Sequence, residues 1–393
     1  MLVNMTTPGA QRLDVRALSA AVALGTLGAL TIMIVPGFVM LVGAQSGLDD
    51  RRLGFVASWD INTTAAAIGV ATFLIARFNW RHLALLGTVL IALGGLGTAV
   101  SHGYTPIVAA RICAGLGEGL AIAVSFAALG SAANPDRAFG VYLVFGLSAS
   151  AAVLALLPWL QGGFGSAAVF VGIAAIALGS MTLLPWLPQR SPASASSRDG
   201  AASVSKELAI SGLVGVFLYF IAQGAMWSYF ERIGNASGVD RIIIGQAMGL
   251  SSFAGMGGAL LAFTVVTRLG RVLPLIASGT VSLVSFWLLR GHVTAAELVI
   301  AGVLFNFGWN LAQPLLSGVC ADADAQGRVV VAMGCIQTVG FGMGPALAAV
   351  MLQGQDFSRA AGMSAAVLLI SLLIVLGGLK MQSRRILAVS TLP

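Results

Sequence analysis

Charge is scarce in this chain. Only 9% of its 393 residues are Asp, Glu, Lys or Arg, against roughly 25% in a soluble domain, so it could not cover itself in water. Cysteine is nearly missing too. Cys113, Cys320 and Cys335 are the three present, each within an apolar stretch, which suggests neither a disulfide framework nor a metal site. The three histidines, His82, His102 and His292, fall at the ends of apolar runs and carry no assigned role. No Gly-x-x-x-x-Gly-Lys-Ser/Thr phosphate loop occurs, which argues against direct drive by ATP. No nucleophile–base arrangement points to an enzyme, and no cofactor is implied. The net charge of +7 comes from basic residues scattered singly over loops. That is a membrane topology signal and not a nucleic-acid surface.

What the chain has is apolar residue, at 58%, with a mean hydropathy of +0.95 and 50 glycines. A helix needs about 20 apolar residues to cross the hydrocarbon core. The runs predict spans at 18–42, 53–76, 82–101, 105–131, 138–160, 166–187, 208–232, 242–266, 272–289, 295–319, 329–352 and 360–379. The first is longer than a signal-peptide core and no small-residue cleavage site closes it, so it reads as a span. The glycines suit helices packed closely in lipid. The expected fold is an all-α membrane protein of twelve transmembrane helices in two pseudo-symmetric six-helix bundles.

One connection is long. Residues 189–207, QRSPASASSRDGAASVSKE, read as a flexible cytoplasmic linker between an N-terminal half, 1–188, and a C-terminal half, 208–393. With both termini placed in the cytoplasm, 14 Lys and Arg fall inside, 6 outside, and Arg111 within a span. The positive-inside rule therefore favours cytoplasmic termini.

The halves repeat at one offset. Gly47-Leu48-Asp49 matches Gly238-Val239-Asp240, Gly54 matches Gly245, Arg77 matches Arg268, Gly117 matches Gly308, and Arg137 matches Arg328, every pair 191 residues apart. Parallel repeats of this kind suit a rocker that exposes one central site alternately to each side.

With these features the chain resembles the major facilitator superfamily along essentially its whole length. The family's loop motif after span 2, Gly-x-x-x-Asp-Arg-x-Gly-Arg-Arg, is reduced here to Arg77-Phe78-Asn79-Trp80-Arg81. Its second copy reads Arg268-Leu269-Gly270-Arg271. Both lack the acid. The resemblance gives Arg77, Arg81, Arg268 and Arg271 a role in conformational latching. Span 4 carries Arg111-Ile112-Cys113-Ala114-Gly115-Leu116-Gly117-Glu118-Gly119, whose Arg-x6-Glu spacing is similar to that of organic-anion and spinster-type carriers. The Gly-Pro-rich antiporter motif is missing from span 5. A comparable Gly340-Phe341-Gly342-Met343-Gly344-Pro345 stands in span 11. The resemblance also implies a monomer.

Ionisable groups within a span are costly unless they face protein or water, so they are functional candidates. Arg111 and Glu118 are seven residues apart, two turns less about 20°, which points both side chains the same way roughly 10 Å apart along the axis. Asp60 lies in span 2 at a depth close to that of Arg111. Arg111 is expected to attract an anionic substrate group, and Glu118, with Asp60, to carry the coupled proton. The alternative is a structural Arg111–Asp60 or Arg111–Glu118 pair.

The second half offers a different chemistry. Asn306, Trp309, Asn310 and Gln313 form one stripe on span 10, and Tyr219, Gln223 and Trp227 recur every four residues on span 7. Trp227, Asn310, Gln223, Tyr219, Asn306 and Gln313 join Arg111 as expected substrate contacts. Interhelical hydrogen bonding without substrate would explain the same amides. Pro36 and Pro314 are expected to kink spans 1 and 10.

The function expected from these residues is secondary active transport. A small organic solute, expected to be anionic, would cross the inner membrane with a proton. A drug or sugar-like efflux antiporter is the nearest alternative, and a non-transporting receptor or assembly factor on the same fold is another. The partners are then a small molecule, a proton and the lipid bilayer.

Overall fold

The computed structural model describes residues 14–132, 135–189, 205–323, 328–352, 354 and 356–390. Among them the chain forms twelve α-helices and one 3₁₀ turn, and no strand. These are α1 (Val15–Met33), α2 (Val35–Ser46), α3 (Asp50–Arg77), α4 (Trp80–Val100), α5 (Tyr104–Gly130), α6 (Pro135–Ser180), α7 (Lys206–Ala236), α8 (Arg241–Leu269), α9 (Val272–Leu288), α10 (Ala295–Ala323), α11 (Arg328–Met351) and α12 (Ser358–Ser390). Ten helices are long and apolar enough to cross a membrane; α2 and α9 are shorter. Large apolar side chains such as Val144, Phe164, Leu260 and Leu373 are exposed, as lipid-facing surfaces require and water-facing ones avoid.

Helices and spans do not correspond one to one. The first expected span is broken at Ile34 (φ −105°, ψ 20°), and Pro36 opens α2, where its missing N–H costs least. The fifth expected span lies within α6 and the sixth runs from α6 into the 3₁₀ turn Met181–Trp186; the two are divided at Gly165 (φ 80°, ψ 163°), a backbone conformation that favours glycine. With α1 and α2 as one crossing and α6 as two, the helices supply twelve crossings. Pro314, expected to mark a kink, lies inside a continuous α10. Lys206 and Glu207, placed in the linker from sequence, open α7. Residues 190–204, the body of that linker, are outside the described residues, as are Arg12 and the side chains of Arg137 and Arg328.

Packing follows two groups. In one, α1, α3 and α4 pack on α5, and α1 and α4 also on α6. In the other, α8 and α9 pack on α10, and α11 and α12 on α7. The 191-residue spacing persists in the helix starts, from Asp50 to Arg241 and from Tyr104 to Ala295. Close approach depends on glycine where backbones meet. A Cβ on Gly115 would strike the Asp60 carbonyl of α3, and one on Gly344 would strike α7 at Ile221 and Ala225.

The groups meet through α3–α11, α6–α8 and α2–α7. Among the described residues, the side-chain hydrogen bonds between them gather at one end and at mid-depth. Tyr229 Oη donates to the Asp50 carbonyl at 2.8 Å, Arg232 pairs with the Asp50 carboxylate, Ser58 donates to the Gly342 carbonyl, and Trp227 donates to the Met33 carbonyl at 3.3 Å. That end carries the α2–α3 connection.

Candidate functional site

The three ionisable residues expected to act together do meet. Asp60, Arg111 and Glu118 are 0%, 4% and 2% exposed. Arg111 Nη2 lies 3.0 Å from both oxygens of Asp60 and 2.9 Å from Oε1 of Glu118. Sequence reasoning left open which acid pairs with Arg111; the same nitrogen takes both. Glu118 also accepts from Thr31 of α1 at 2.8 Å and from Thr64 of α3 at 3.2 Å. The guanidinium carbon stands 4.7 Å above the Phe38 ring of α2, a cation–π contact that matters most when desolvated. Arg111 Nε is buried without a partner.

The arrangement follows from local sequence. Two turns on one helix bring Arg111 and Glu118 to one face. Gly115, between them, lets α3 come close enough for Asp60 to reach across. The cluster borders a cavity of about 10 Å3 lined by α1, α2, α4, α5 and α6, among them Leu27, Thr31, Phe38, Gly95 and Phe170. That is hardly more than one water molecule's room. One guanidinium and two carboxylates sum to −1 when both acids are ionised, and one proton brings the group to zero. Burying a net charge is far costlier than burying a neutral set. The cluster therefore holds one carboxylate more than its single guanidinium balances.

The second group of helices places its polar residues in two settings. Trp227 stacks on Phe305, centroids 5.4 Å apart at 12°, and Trp309 on Phe341 at 5.3 Å and 27°. Asn306 donates to Ser251 of α8 at 2.9 Å, while Asn310 donates to the Asn306 carbonyl in its own helix at 2.9 Å. Asn310 and Gln313 are half-buried. Tyr219 and Gln223 are fully buried, with Tyr219 Oη beside Ser282 of α9 and Gln223 but without an aligned hydrogen bond. They face the interior of their own group of helices and do not join Asp60, Arg111 and Glu118.

The loop arginines divide likewise. Arg77 and Arg268 end α3 and α8 and are exposed. Arg81 donates to the Leu187 carbonyl at 2.7 Å, and Arg271 pairs with Asp322 at the end of α10. An acid absent from the loop is thus supplied by another helix.

A family model for the Major Facilitator Superfamily matches residues 17–349. The chain belongs to that superfamily. It is therefore a membrane transporter by family, and not an enzyme. An uncharacterised MFS-type transporter, YcaD, of Salmonella paratyphi B is 24% identical over 368 residues, covering 88% of this chain and 92% of its own. Among solved structures, a D-xylose-proton symporter aligns with a TM-score of 0.71 at 15% identity, over 91% of this chain and 96% of its own. The nucleoside transporter NupG aligns with a TM-score of 0.75 at 12% identity, over 92% and 99%. These likenesses establish the superfamily fold, and the residues themselves must argue the rest.

Sequence reasoning missed Thr31, Thr64 and Phe38 around the cluster, and it missed Asp50, the partner of Arg232 and Tyr229 at the end that carries the α2–α3 connection. Thr31 had one signal, a hydroxyl five residues before Pro36 in an otherwise apolar run. Phe38 had none, being one aromatic among many.

Proposed function

We propose that this superfamily member is a proton-coupled secondary transporter of a small organic solute in a cell inner membrane, working as a monomer with both termini cytoplasmic. The observation that carries the proposal is the shared Arg111 nitrogen, bound to Asp60 and Glu118 at 2.9–3.0 Å in a buried site. A proton-coupled transport cycle needs a group whose charge can change inside the protein and whose change alters helix contacts. This cluster does both, because Arg111 and Glu118 belong to α5 while Asp60 belongs to α3, which also meets α11.

The two groups of helices, 1–188 and 208–393, would then rock about their seam. The Asp50 end is closed by Arg232 and Tyr229, and with cytoplasmic termini that end is outside. The expected anionic solute fits a cycle in which protonation of Glu118 or Asp60 loosens Arg111's hold and frees charge for a substrate carboxylate. Trp227, Asn310, Asn306 and Gln313 supply a flat apolar surface and amides for the rest of the molecule, with Tyr219 and Gln223 behind them.

A neutral hydroxylated solute is the second reading. It is favoured because Arg111 already faces two carboxylates and the α7–α10 face offers aromatic and amide groups. The solved neighbours named for xylose and nucleosides agree with it in chemistry.

The test uses purified protein and a panel of small organic acids, sugars and nucleosides, first by thermal shift and then by uptake into proteoliposomes. Glu118→Gln should abolish accumulation driven by a pH gradient and spare counterflow of the same solute. Pyranine inside the vesicles reports whether protons move with it. Accumulation that persists unchanged in Glu118→Gln would sink the proton assignment. Acids alone shifting the unfolding midpoint would select the anionic reading, and sugars or nucleosides alone the neutral one.

A further inference from the structure

The break between α1 and α2 touches both sides of the proposed cycle. Ile34 leaves helical geometry, and Pro36 has no N–H to offer the Ile32 carbonyl. The chain at this point is held by other helices. On the α1 side, Thr31 Oγ1 donates to Glu118 Oε1 at 2.8 Å. On the α2 side, Phe38 lies under the Arg111 guanidinium, 4.7 Å from its carbon. At the break, the Met33 carbonyl accepts from Trp227 Nε1 at 3.3 Å, and Trp227 is stacked on Phe305 of α10.

We infer that the α1–α2 break is the element through which the charge state of the cluster is transmitted to the second group of helices, with Thr31, Phe38 and Trp227 as its positioning residues. The inference rests on the proton reading above and adds the route. A hydroxyl donating to an ionised carboxylate makes a charge-assisted bond, roughly twice as strong as a neutral one. A proton on Glu118 weakens the Thr31 bond and the pull on Arg111 together, and Arg111 rests on Phe38. Both arms of the break are thus released by one event. The helical hydrogen bond that Pro36 cannot donate is already missing at the break, which lowers the cost of changing its angle. The Met33 carbonyl then moves against Trp227, which α7 and α10 hold in place. The charged groups that face Glu118 among the described residues are Asp60 of α3 and Arg111 of α5; α1 contributes Thr31, and the cavity wall from α4 and α6 is apolar.

The test reads conformation, so it needs no known solute. Ala349 of α11 is fully buried against Gly54 of α3. In a background with Cys113, Cys320 and Cys335 replaced by serine, Ala349→Cys is labelled in proteoliposomes by a membrane-impermeant maleimide across pH. Labelling rate is expected to depend on pH, and Glu118→Gln to remove that dependence. Thr31→Val should move its midpoint upward by about one unit, a tenfold change in the proton equilibrium. Thr31→Ser, which keeps the hydroxyl, should restore it. Trp227→Phe keeps the ring and loses the N–H; it should flatten the amplitude severalfold without moving the midpoint. Detergent unfolding midpoints confirm that each variant is folded, and Phe38→Leu, expected to shift the midpoint, replaces any that is not. Unchanged midpoint in Thr31→Val and Phe38→Leu, with unchanged amplitude in Trp227→Phe, overturns the inference while Glu118→Gln still removes the pH dependence. Persisting pH dependence in Glu118→Gln overturns the proton reading itself, and the route with it.

Discussion

Arg111 and Glu118 lie seven residues apart on α5, and the Arg111 nitrogen that reaches Glu118 at 2.9 Å is the one that binds Asp60 on α3. One donor atom therefore serves both acids, so a change at either alters the restraint on the other. The α3–α5 contact and the α5 face toward α1 are governed together.

Removing Arg111 should be costly for folding as well as transport. Breaking a buried ion pair by deleting one partner costs about 3–5 kcal/mol, because the remaining charge is uncompensated. Arg111→Gln should lower the unfolding midpoint in detergent. Adding Asp60→Asn and Glu118→Gln should recover most of that loss without recovering transport. A single variant as stable as the parent would mean that the cluster is not buried in the working protein.

The cluster should also fail without any charge being touched. A side chain at Gly115 meets the Asp60 carbonyl oxygen and Thr63, so Gly115→Ala must push α3 away from α5. Overpacking of this kind costs about 1–3 kcal/mol. Gly115→Ala should lower both unfolding midpoint and uptake. Gly162→Ala, with nothing within 4 Å of its Cβ, should change neither. Equal behaviour of the two variants would show that close α3–α5 approach is dispensable.

The closed end should open more readily when Asp50 loses its charge. Its pair with Arg232 is partly solvated, with side chains 11% and 23% exposed, so solvent screening leaves roughly 1 kcal/mol, a factor of about five in the open fraction. Maleimide labelling of Ala349→Cys should accelerate by that factor in Asp50→Asn. The Tyr229 hydrogen bond goes to the Asp50 backbone and survives the substitution. No change in labelling would remove the ion pair from the gate.

Two neighbouring amides should part company. Asn306 is committed to Ser251 of α8, whereas the Asn310 side chain, among the described residues, bonds within its own helix and stays half-buried. Asn306→Ala should lower the unfolding midpoint. Asn310→Ala should leave it in place and weaken binding of the solute that scores in the panel by about fivefold, one net hydrogen bond. Titration calorimetry on the two variants decides it, and unaltered binding in Asn310→Ala would take that residue out of the solute site.

Much of the fold was legible because lipid demands long apolar helices with satisfied backbones. Hydropathy alone therefore located α3 to α5 and α7 to α11 within a few residues. It could not show that the first span, expected to kink at Pro36, is two helices, or at which residue the 138–160 and 166–187 crossings divide. Those depend on single residues, Ile34 and Gly165, whose backbone angles are set by neighbours. The loop motif misled in one respect. Its missing acid is replaced through space by Asp322, 51 residues from Arg271 in the chain.

Asp60, Arg111 and Glu118 were determined as a set by the sequence, since three ionisable groups in apolar runs have few places to go and helical periodicity puts two of them on one face. That Arg111 would bind both acids through one nitrogen was decided only by tertiary structure. It required Gly115 to admit α3, Thr31 to arrive from α1, and Phe38 to lie beneath the guanidinium. None of those distances is encoded in spacing along one helix. They arise where four helices meet.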